Sequence, residues 1–406
     1  MTNWKKLKIE DCAEVIGGGT PSTKKKEYWD GDISWITPKD LSNYNNRYIS
    51  KGSRNISEKG LKYSSARLLP KNSVLLTTRA PIGYLAISKK ELATNQGFKS
   101  LIMKKGNVPE FFYYLLKNNI NKLLQYASGT TFMELNATNL KSIEFYIPEV
   151  KEQKRIASIL SSFDDKIELN NKTNKILEEM AQTIFKEWFI NFNFPNEDGK
   201  PYKKSGGEMI DSELGKIPKG WKVITLKDII SIAKGKKPKA TSDKITEKFT
   251  MPYLTINCYN NEATEYTEYN EKMHVKELDI IMVMDGNAGK IFYGKEGILS
   301  STMAKLIVKD SNLNELVFYF LKSIEYDLMY HTVGSVIQHA DKQYMLNKKF
   351  CVSSDNLERL SDIFKCIRKE ISLNKKENEK LSNIRDSLLP KLMTPKGRRA
   401  DREIRV

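Results

Sequence analysis

The stretch that decides the fold is residues 151–189, KEQKRIASILSSFDDKIELNNKTNKILEEMAQTIFKEWF. It contains no Pro or Gly, and its core-type residues recur every seven positions in two series that lie four positions apart. The first series is Ile156, Phe163, Asn170, Leu177 and Ile184, and the second is Leu160, Ile167, Asn174, Ala181 and Trp188. A heptad repeat of this kind predicts a long helix that pairs with another helix as a coiled coil.

A second helix with the same pattern is predicted at 356–392. Its two series are Leu360, Ile367, Asn374, Leu381 and Leu388, and Phe364, Ile371, Asn378, Arg385 and Leu392. Each helix thus carries two Asn residues at core positions, where a buried Asn fixes the register of a helix pair at a cost in stability. Inheritance from a duplicated ancestor explains the shared positions equally well.

The rest of the chain also repeats once. Trp4-Lys5 returns as Trp221-Lys222, VLLTTRAPIG from Val74 matches IIMVMDGNAG from Ile280, and FFYYLLKNN from Phe111 matches LVFYFLKSI from Leu316. Because the matches keep their order, they indicate a duplication with globular units at 1–150 and 221–355. Each unit is followed by its helix. The segment 190–220 is rich in Gly, Pro and charged residues and predicts a linker, and 393–406 is a basic tail.

The positions of the four asparagines suggest how the helices pair. An antiparallel pair whose residue numbers sum to 548 places Asn170 opposite Asn378 and Asn174 opposite Asn374. A parallel pair matches the same layers, so the register alone leaves both directions open. We favour the antiparallel pair, because a two-fold axis that relates the repeats and runs perpendicular to the helices requires it.

Each globular unit mixes strands with one clear helix. In the first unit, β-type runs occur at Ser34–Thr37, Val74–Thr78, Phe98–Met103 and Ser142–Ile147. Residues 109–126 carry aromatic and leucine side chains at helical spacing after Pro109, which suits the first turn of a helix. The sequence therefore predicts the α+β class: two α+β units joined by two long, antiparallel coiled-coil helices, with a pseudo-two-fold internal repeat.

Composition limits the partner and the compartment. The formal net charge of +17 favours a polyanionic partner, although charge alone does not separate nucleic acid from an anionic membrane surface. No apolar run reaches about eighteen residues and no signal stretch opens the chain, so we expect a cytoplasmic protein. The four cysteines and three histidines are scattered, which argues against disulfides and a zinc site.

Motifs for chemistry on DNA are missing from the sequence. An amino-methyltransferase needs an Asn/Asp-Pro-Pro-aromatic motif, and no Asn-Pro pair occurs. Residues 286–290, GNAGK, have the wrong spacing for a phosphate loop and are followed by Ile291 instead of Ser or Thr, so they predict a β-turn. We therefore expect no catalytic residue, metal or cofactor in this chain.

Polar loops supply the candidates for contact with DNA. A Gly-rich turn at 17–19 followed by lysines suits phosphate contact, and the ends of the strands at Arg79 and Asp285 suit base contact. A solvated turn explains the lysines equally well, and drift explains the different residues at 79 and 285. The candidate residues are Thr23, Lys24, Lys25, Lys26, Lys39, Thr78, Arg79, Gln96, Thr130, Thr131, Lys234, Lys236, Lys237, Lys239, Asp285, Asn287, Lys290, Ser335 and Gln338.

Several stretches together resemble the specificity subunit of type I restriction–modification systems, across essentially the whole chain. They are GGGTPST at 17–23, ISWITPKDL at 33–41, SVLLTTRAPIG at 73–83, ATNQGF at 93–98, IPEVKEQKRIASIL at 147–160 and LGKIPKGW at 214–221. The resemblance implies two target recognition domains that each read one half of a split DNA site. It further implies spacer helices that dock two modification subunits, which carry S-adenosylmethionine and methylate adenine, and a restriction subunit that uses ATP.

The second unit departs from this pattern, since Lys236-Lys237 replace a Gly-Thr pair and Asp285 replaces Arg79. Its half-site therefore does not follow from the first. Two other classes of protein stay open. A stand-alone DNA-binding regulator would also be basic and two-fold but needs no surface for a partner enzyme. A coiled-coil adaptor would explain the helices but not the basic, duplicated α+β units.

Overall fold

The computed structural model of the chain describes residues 4–79, 81–129, 133–260, 264–334, 338–353 and 357–395, with the backbone alone for 357–360. The chain forms two compact units. The first unit comprises 1–170 and 376–406, and the second comprises 171–375. Each unit contains one globular fold and a part of both long helices. The boundaries predicted at 150, 189, 220 and 355 mark segments of the sequence and stay a prediction.

A five-stranded sheet lies at the centre of the first unit. Its strands in spatial order are Ala13–Gly17, Lys99–Met103, Val74–Thr78, Ile82–Ser88 and Tyr48–Ile49. All neighbours pair antiparallel except the last two, which are parallel. Val74–Thr78 is buried at every position, as expected for a continuous apolar strand with both faces covered.

Two smaller sheets and several short helices complete the first unit. The three-stranded sheet contains Arg54–Ile56, Trp29–Ile36 and Ala93–Thr94, and the two-stranded sheet pairs Lys5–Lys8 with Glu144–Ile147. The last pair brings the first and last strands of the fold together. The helices are Ile9–Cys12, Pro38–Leu41, Glu58–Lys62, Pro109–Asn118, Ile120–Gln125 and Ala137–Ser142, with a 3-10 turn at Lys26–Tyr28.

The second unit repeats this arrangement. Its central sheet has the order Ile230–Lys234, Met303–Val308, Ile280–Val283 and Ile291–Tyr293, and a second sheet has the order Glu265–Thr267, Met251–Leu254, Gly297–Leu299 and His274–Val275. Two-stranded sheets pair Trp221–Thr225 with Lys349–Ser353 and Thr332–Val333 with His339–Ala340. The helices are Leu226–Ile229, Ile256–Tyr259, Asn314–Ser323, Glu325–Tyr330 and Lys342–Leu346, with 3-10 turns at Glu271–Met273 and Ser311–Leu313.

The strand orders confirm the internal repeat. Four strands of each central sheet follow one another in the same order, with Val74–Thr78 equivalent to Ile280–Val283. In each copy the strand that opens the unit also pairs with the strand that precedes the long helix. Topology of this kind is set by long-range pairing, so its recurrence supports duplication more strongly than short sequence matches do.

The two long helices span Val150–Phe185 and Leu357–Leu392. Every predicted core position with a described side chain is buried or half-buried in both helices. Within the first unit Asn170 donates a hydrogen bond from Nδ2 to Oδ1 of Asn378 at 2.9 Å, and within the second unit Asn374 donates from Nδ2 to Oδ1 of Asn174 at 2.9 Å. Because higher numbers on one helix meet lower numbers on the other, the pair is antiparallel, as predicted.

The helices also belong to the core of each unit. In the first unit Ile156 and Leu160 join Leu389 and Leu392 in one apolar cluster with the helix Pro109–Asn118. In the second unit Ala181 and Phe185 join Phe364, Ile367 and Ile371 in the equivalent cluster. Burial of these side chains stabilises the helices far more than helix propensity does.

The helix predicted over 109–126 is interrupted at Asn119. This residue has φ −122° and ψ 26°, which is not helical, and its side-chain amide donates to the Leu115 carbonyl at 2.8 Å. That hydrogen bond satisfies a carbonyl at the end of the first helix, and a second short helix begins at Ile120. The same break separates Asn314–Ser323 from Glu325–Tyr330 in the second unit.

The segment 190–220, predicted as a linker, has structure of its own. A π-helical turn, Lys186–Ile190, ends the central helix, and a hairpin pairs Met209–Ser212 with Gly215–Pro218. The Phe194 ring stacks on Trp221 with centroids 4.9 Å apart and on Tyr202 at 4.7 Å. These aromatic contacts hold the segment against the second unit, a result that its Gly and Pro content did not indicate.

Among the residues that the structure describes, no helix is long and apolar enough to cross a membrane. The thiols of Cys12, Cys258 and Cys351 are buried, Cys366 is exposed, and all four are unpaired. Burial raises the pKa of Cys12 and of Cys351 to about 11, so both are protonated at neutral pH.

Candidate nucleic-acid interface

The Gly-rich loop at 17–19 serves close packing instead of phosphate binding. The amide of Gly18 donates to the Phe98 carbonyl at 3.2 Å, and that of Gly19 donates to the Thr94 carbonyl at 2.9 Å. A Cβ atom on Gly18 would lie 2.0 Å from the backbone oxygen of Asn95. The prediction that these amides meet phosphate is therefore wrong, and glycine is needed here because two backbone segments touch.

The second unit uses the same device at Gly235. Its amide donates to the Met303 carbonyl at 3.0 Å, and a Cβ atom would lie 2.1 Å from the Ser300 carbonyl oxygen. The sequence offset of 217 from Gly18 is that of the first repeat match, so the close approach is a shared property of the duplicated fold.

The lysines after these glycines lie at the surface. Thr23, Lys24, Lys25 and Lys26 are exposed in the first unit, and Lys234, Lys236, Lys237 and Lys239 are exposed in the second. Lys25 donates from Nζ to the Tyr28 hydroxyl at 3.1 Å, which raises the pKa of its ammonium group. Lys39 is exposed on the short helix Pro38–Leu41. Exposed ammonium groups of this kind suit contact with phosphate.

Thr78 lies inside the fold, which corrects its place among the candidates for contact with DNA. The residue is fully buried, and its hydroxyl donates to the Gly97 carbonyl at 3.3 Å. The strand runs through the middle of the sheet, so its last residue is still covered. Gln96, in contrast, is exposed and accepts a hydrogen bond from the Thr20 hydroxyl.

Arg79 belongs to a charged cluster in the first unit with Glu134 and Lys99, here named the first charged cluster. The Arg79 Nη1 atom lies 3.8 Å from one Glu134 oxygen, and the Lys99 Nζ atom lies 3.8 Å from the other. Side chains of Arg79 and Glu134 are 40% and 39% exposed. An isolated antiparallel bridge joins the backbones of Arg79 and Glu134, so the two side chains leave neighbouring segments.

Asp285 belongs to the equivalent cluster in the second unit with His339 and Lys234, here named the second charged cluster. The His339 Nδ1 atom lies 2.7 Å from Asp285 Oδ1, and the Lys234 Nζ atom lies 3.7 Å from Asp285 Oδ2. An isolated antiparallel bridge again joins the backbones of Asp285 and His339. The carboxylate of Asp285 therefore lies between two basic groups, as that of Glu134 does.

The remaining candidates of the second unit surround this cluster. Residues 286–290 form a turn between two strands, as predicted, with Gly286 at φ +88° and Gly289 at φ +92°. Asn287 is exposed on this turn, and Lys290 lies over the Phe292 ring, 5.3 Å from its centroid. The carbonyl of Gln338 accepts from the Gly286 amide at 3.1 Å, and this residue is exposed.

Three candidates, Thr130, Thr131 and Ser335, lie outside the described residues. Lys99 was missed by the sequence analysis, and so were two further members of the charged clusters, Glu134 and His339. The signal that finds Glu134 and His339 is the repeat itself, since 134 to 339 has the offset of 205 that also relates Phe111 to Leu316. Among the described side chains, no group of three or more His, Cys, Asp and Glu is placed to hold a metal ion.

A buried polar network fastens the first fold to both helices. Arg47, which is 4% exposed, donates to the Tyr114 hydroxyl, and Tyr114 donates to Asp164, which also pairs with Arg385 of the second helix. Burial disfavours the charge of Arg47, but hydrogen bonds to Tyr114 and Asp165 outweigh that effect and raise its pKa. Burial also raises the pKa of Tyr114.

The class of protein follows from a comparison of this chain with known proteins. A family model for the type I restriction modification DNA specificity domain matches residues 1–179 and 218–383. These two ranges contain both copies of the fold and most of both helices. The chain therefore belongs to the family of type I restriction–modification DNA specificity domains.

One relative is similar over almost the whole chain, and another over somewhat less than half of it. The specificity subunit of the type I restriction enzyme MjaIX from Methanocaldococcus jannaschii is 37% identical over 413 residues, which cover 96% of this chain and 93% of the relative. The EcoR124I/EcoR124II specificity subunit from Escherichia coli is 29% identical over 188 residues, which cover 45% of this chain and 44% of the relative.

A solved structure shares the fold. The crystal structure of a type I restriction–modification S subunit from M. genitalium covers 97% of this chain and 96% of its own, with a TM-score of 0.60 at 18% identity.

Proposed function

We propose that this chain is the DNA-recognition subunit of a type I restriction–modification complex and that each unit binds one half of a bipartite DNA site. The observation that carries the proposal is the duplicated fold, whose copies place different charged side chains at the same strand ends. Two copies of one fold suit two half-sites, and different side chains suit different sequences. Membership of the family and the full-length relative support this assignment.

The exposed lysines are proposed to bind phosphate. In the first unit they are Lys24, Lys25 and Lys26, and in the second they are Lys236, Lys237 and Lys239. Each ammonium group that neutralises a phosphate releases counterions, which strengthens binding to any sequence. Base contacts then fall to side chains at the strand ends, because phosphate contacts carry no sequence information.

The helix pair is proposed to dock two modification subunits. Repeat-equivalent apolar side chains are exposed on both helices, with Leu169 at 57% and Leu373 at 52%, and Met180 at 49% and Ile384 at 45%. Exposed apolar residues that recur in both copies suit two copies of one partner. These partners bind S-adenosylmethionine and methylate adenine, and a restriction subunit that uses ATP joins the complex. This chain contributes recognition and no catalytic group.

The test is methylation in a host that lacks other adenine methylation. The chain and its modification subunit are expressed together and separately, and methylated positions are mapped across the genome. We expect a bipartite motif with a fixed gap and one methylated adenine in each half, and only when both proteins are present. Transfer of labelled methyl groups by the purified chain alone would overturn its assignment as a non-catalytic subunit, and a continuous motif would overturn the two-half reading.

A further inference from the structure

The two charged clusters contain the same kinds of group in exchanged places. In the first cluster the cation Arg79 follows the central strand and the carboxylate Glu134 lies on the returning segment. In the second cluster the carboxylate Asp285 follows the central strand and the basic His339 lies on the returning segment. The backbone shows that the two clusters occupy equivalent places. In the first unit the Leu135 amide donates to the Thr78 carbonyl at 2.9 Å, and in the second unit the Ala340 amide donates to the Met284 carbonyl at 2.8 Å.

The flanking lysines are exchanged as well. Gly17 lies opposite Lys99 in the register of the first sheet, and Lys234 lies opposite Ala304 in the register of the second. These two cross-strand pairs are equivalent, and each contains one lysine. In the first unit the lysine lies on the strand Lys99–Met103, and in the second unit it lies on the strand Ile230–Lys234, which is equivalent to the neighbouring strand. Both lysines approach the carboxylate of their cluster, at 3.8 Å from Glu134 and 3.7 Å from Asp285. The position of each lysine follows the position of the acid.

These ion pairs are open enough for a ligand to take their place. Oxygen–nitrogen distances of 3.7 and 3.8 Å are long for charge-assisted hydrogen bonds. The side chains of Arg79 and Glu134 are 40% and 39% exposed, and those of Asp285 and Lys99 are 22% and 16% exposed. Surface ion pairs of this kind hold their partners weakly. The strongest contact is the 2.7 Å bond from His339 to Asp285, which orients the carboxylate while leaving its second oxygen beside Lys234.

A cation beside a carboxylate matches the major-groove edge of one base pair best. Guanine presents two acceptors, O6 and N7, which Arg or Lys binds, and its partner cytosine presents the N4 amino group, which Asp or Glu accepts. An A·T pair offers the adenine amino group between two acceptors, and amide side chains suit that pattern better. The exposed lysines of each unit, proposed above to bind phosphate, would hold the backbone of the same half-site.

We infer that each charged cluster reads a G·C base pair, with its Arg or Lys donating to guanine and its carboxylate accepting from cytosine N4, and that the exchange of places makes the two units read this pair in opposite orientation. The inference rests on the proposed function. It assigns base-reading roles to Glu134 and Lys99 in the first half-site and to Asp285 and Lys234 in the second. His339 acts through Asp285 and is a positioning residue.

The test uses the full chain with its modification subunit and maps the methylated motif of each variant. Glu134→Gln and Asp285→Asn keep the size of the side chain and remove the charge. We expect each to lower discrimination at one G·C pair about tenfold to hundredfold, in its own half-site only. Glu91→Gln is the matched control in the first unit, because Glu91 is exposed and belongs to neither charged cluster, and it should leave every letter unchanged.

A second variant tests the orientation. Gly17→Lys, Arg79→Asp, Lys99→Ala and Glu134→His together give the first cluster the side chains of the second. A Cβ atom on Gly17 meets only the Lys99 side chain, at 3.9 Å, so the added lysine fits. We expect the G·C pair in the first half-site to become C·G. Thermal melting of each variant, and equilibrium binding of its complex to a duplex library, report on variants that methylate poorly.

Three results would overturn the inference. The first is a uniform change in affinity with no change of any letter, and the second is a change at an A·T pair. The third is a change in the half-site of the other unit. Each is distinguishable from failure of the proposed function, which would show as the lack of a bipartite motif for the unmodified chain with its partner.

Discussion

Asp164 shows how one side chain ties three elements together. It lies on the central helix, accepts a hydrogen bond from Tyr114 of the first globular fold and pairs with Arg385 of the second helix. Its side chain is 9% exposed and that of Arg385 is 13% exposed. Removing one partner of a buried ion pair leaves the other charge without compensation, which costs more than the intact pair contributes.

We therefore expect Asp164→Asn to destabilise the first unit by about 3 kcal/mol. Glu179→Gln on the same helix is the control, since Glu179 pairs with Lys175 at the surface, 65% exposed, and should change stability by less than about 1 kcal/mol. Urea unfolding of the full chain, followed by far-UV circular dichroism, measures both. Equal effects of the two substitutions would show that the network contributes no more than a surface pair does.

Individual side chains also mark where sequence reasoning ends. Arg79 and Asp285 were found because they follow strands, but Glu134 and His339 reach them from more than fifty positions away, and only the folded chain closes that distance. Gly18 was interpreted as a source of amides for phosphate, whereas its missing Cβ lets two backbones touch. Composition cannot separate these two uses of glycine, because both demand the same residue.

The two long helices are the elements that the sequence predicted best. Their heptads and the burial of their core positions follow from spacing, because a helix repeats every 3.6 residues whatever surrounds it. Their antiparallel direction does not follow from spacing and was inferred from the two-fold relation between the repeats. The helix over 109–126 was predicted as one element because its apolar spacing continues past Asn119. The break is a change of backbone conformation at one residue, Asn119 here and Ile324 in the second unit, which periodicity does not report.

The Asn pairs of these helices give a test of the pairing register. Asn170 donates to both Asn378 and Glu377, the latter at 2.7 Å, and Lys166 lies 3.2 Å from the same Glu377 oxygen. A double-mutant cycle with Asn170→Ile and Asn378→Ile should show a coupling energy of about 0.5 kcal/mol or more, because each single variant already removes the hydrogen bond that joins these two side chains. The double variant should be more stable than either single variant.

The control cycle combines Asn170→Ile with Asn139→Ala. Asn139 lies in the short helix Ala137–Ser142, far from Asn170 in the sequence, and its side chain donates to the Tyr126 carbonyl. Its coupling should lie within the experimental error, about 0.3–0.5 kcal/mol for independent sites. Coupling of the same size in both cycles would argue against a direct contact between Asn170 and Asn378. Thermal or urea unfolding of the four proteins of each cycle supplies the numbers.

The chain uses one fold twice, with the same order of central strands but with different sheet sizes: five and three strands in the two main sheets of the first unit, and four and four in those of the second. The order of the central strands, the close approach at Gly18 and Gly235 and the helix break after 118 and 323 recur in both copies. The charged clusters are where the copies differ in the kind of group at each place. A fold that keeps its frame while exchanging these groups is suited to reading two different half-sites.

The gap gives the last prediction, which concerns the length of both helices together. Deleting 167–173 from the central helix and 375–381 from its antiparallel partner removes one heptad from each and keeps the seam, with Asn174 and Asn374 still paired. The loss is about 10 Å of helix, or at most about three base pairs at ~3.4 Å each. We expect the methylated motif to keep the letters of both half-sites and to lose one to three positions of its gap. Deleting only 167–173 is the control: it displaces one helix against the other by a heptad, parts Asn174 from Asn374 and should lower stability instead of producing a shorter gap. Changed half-site letters with an unchanged gap would show that the helices do not act as the spacer.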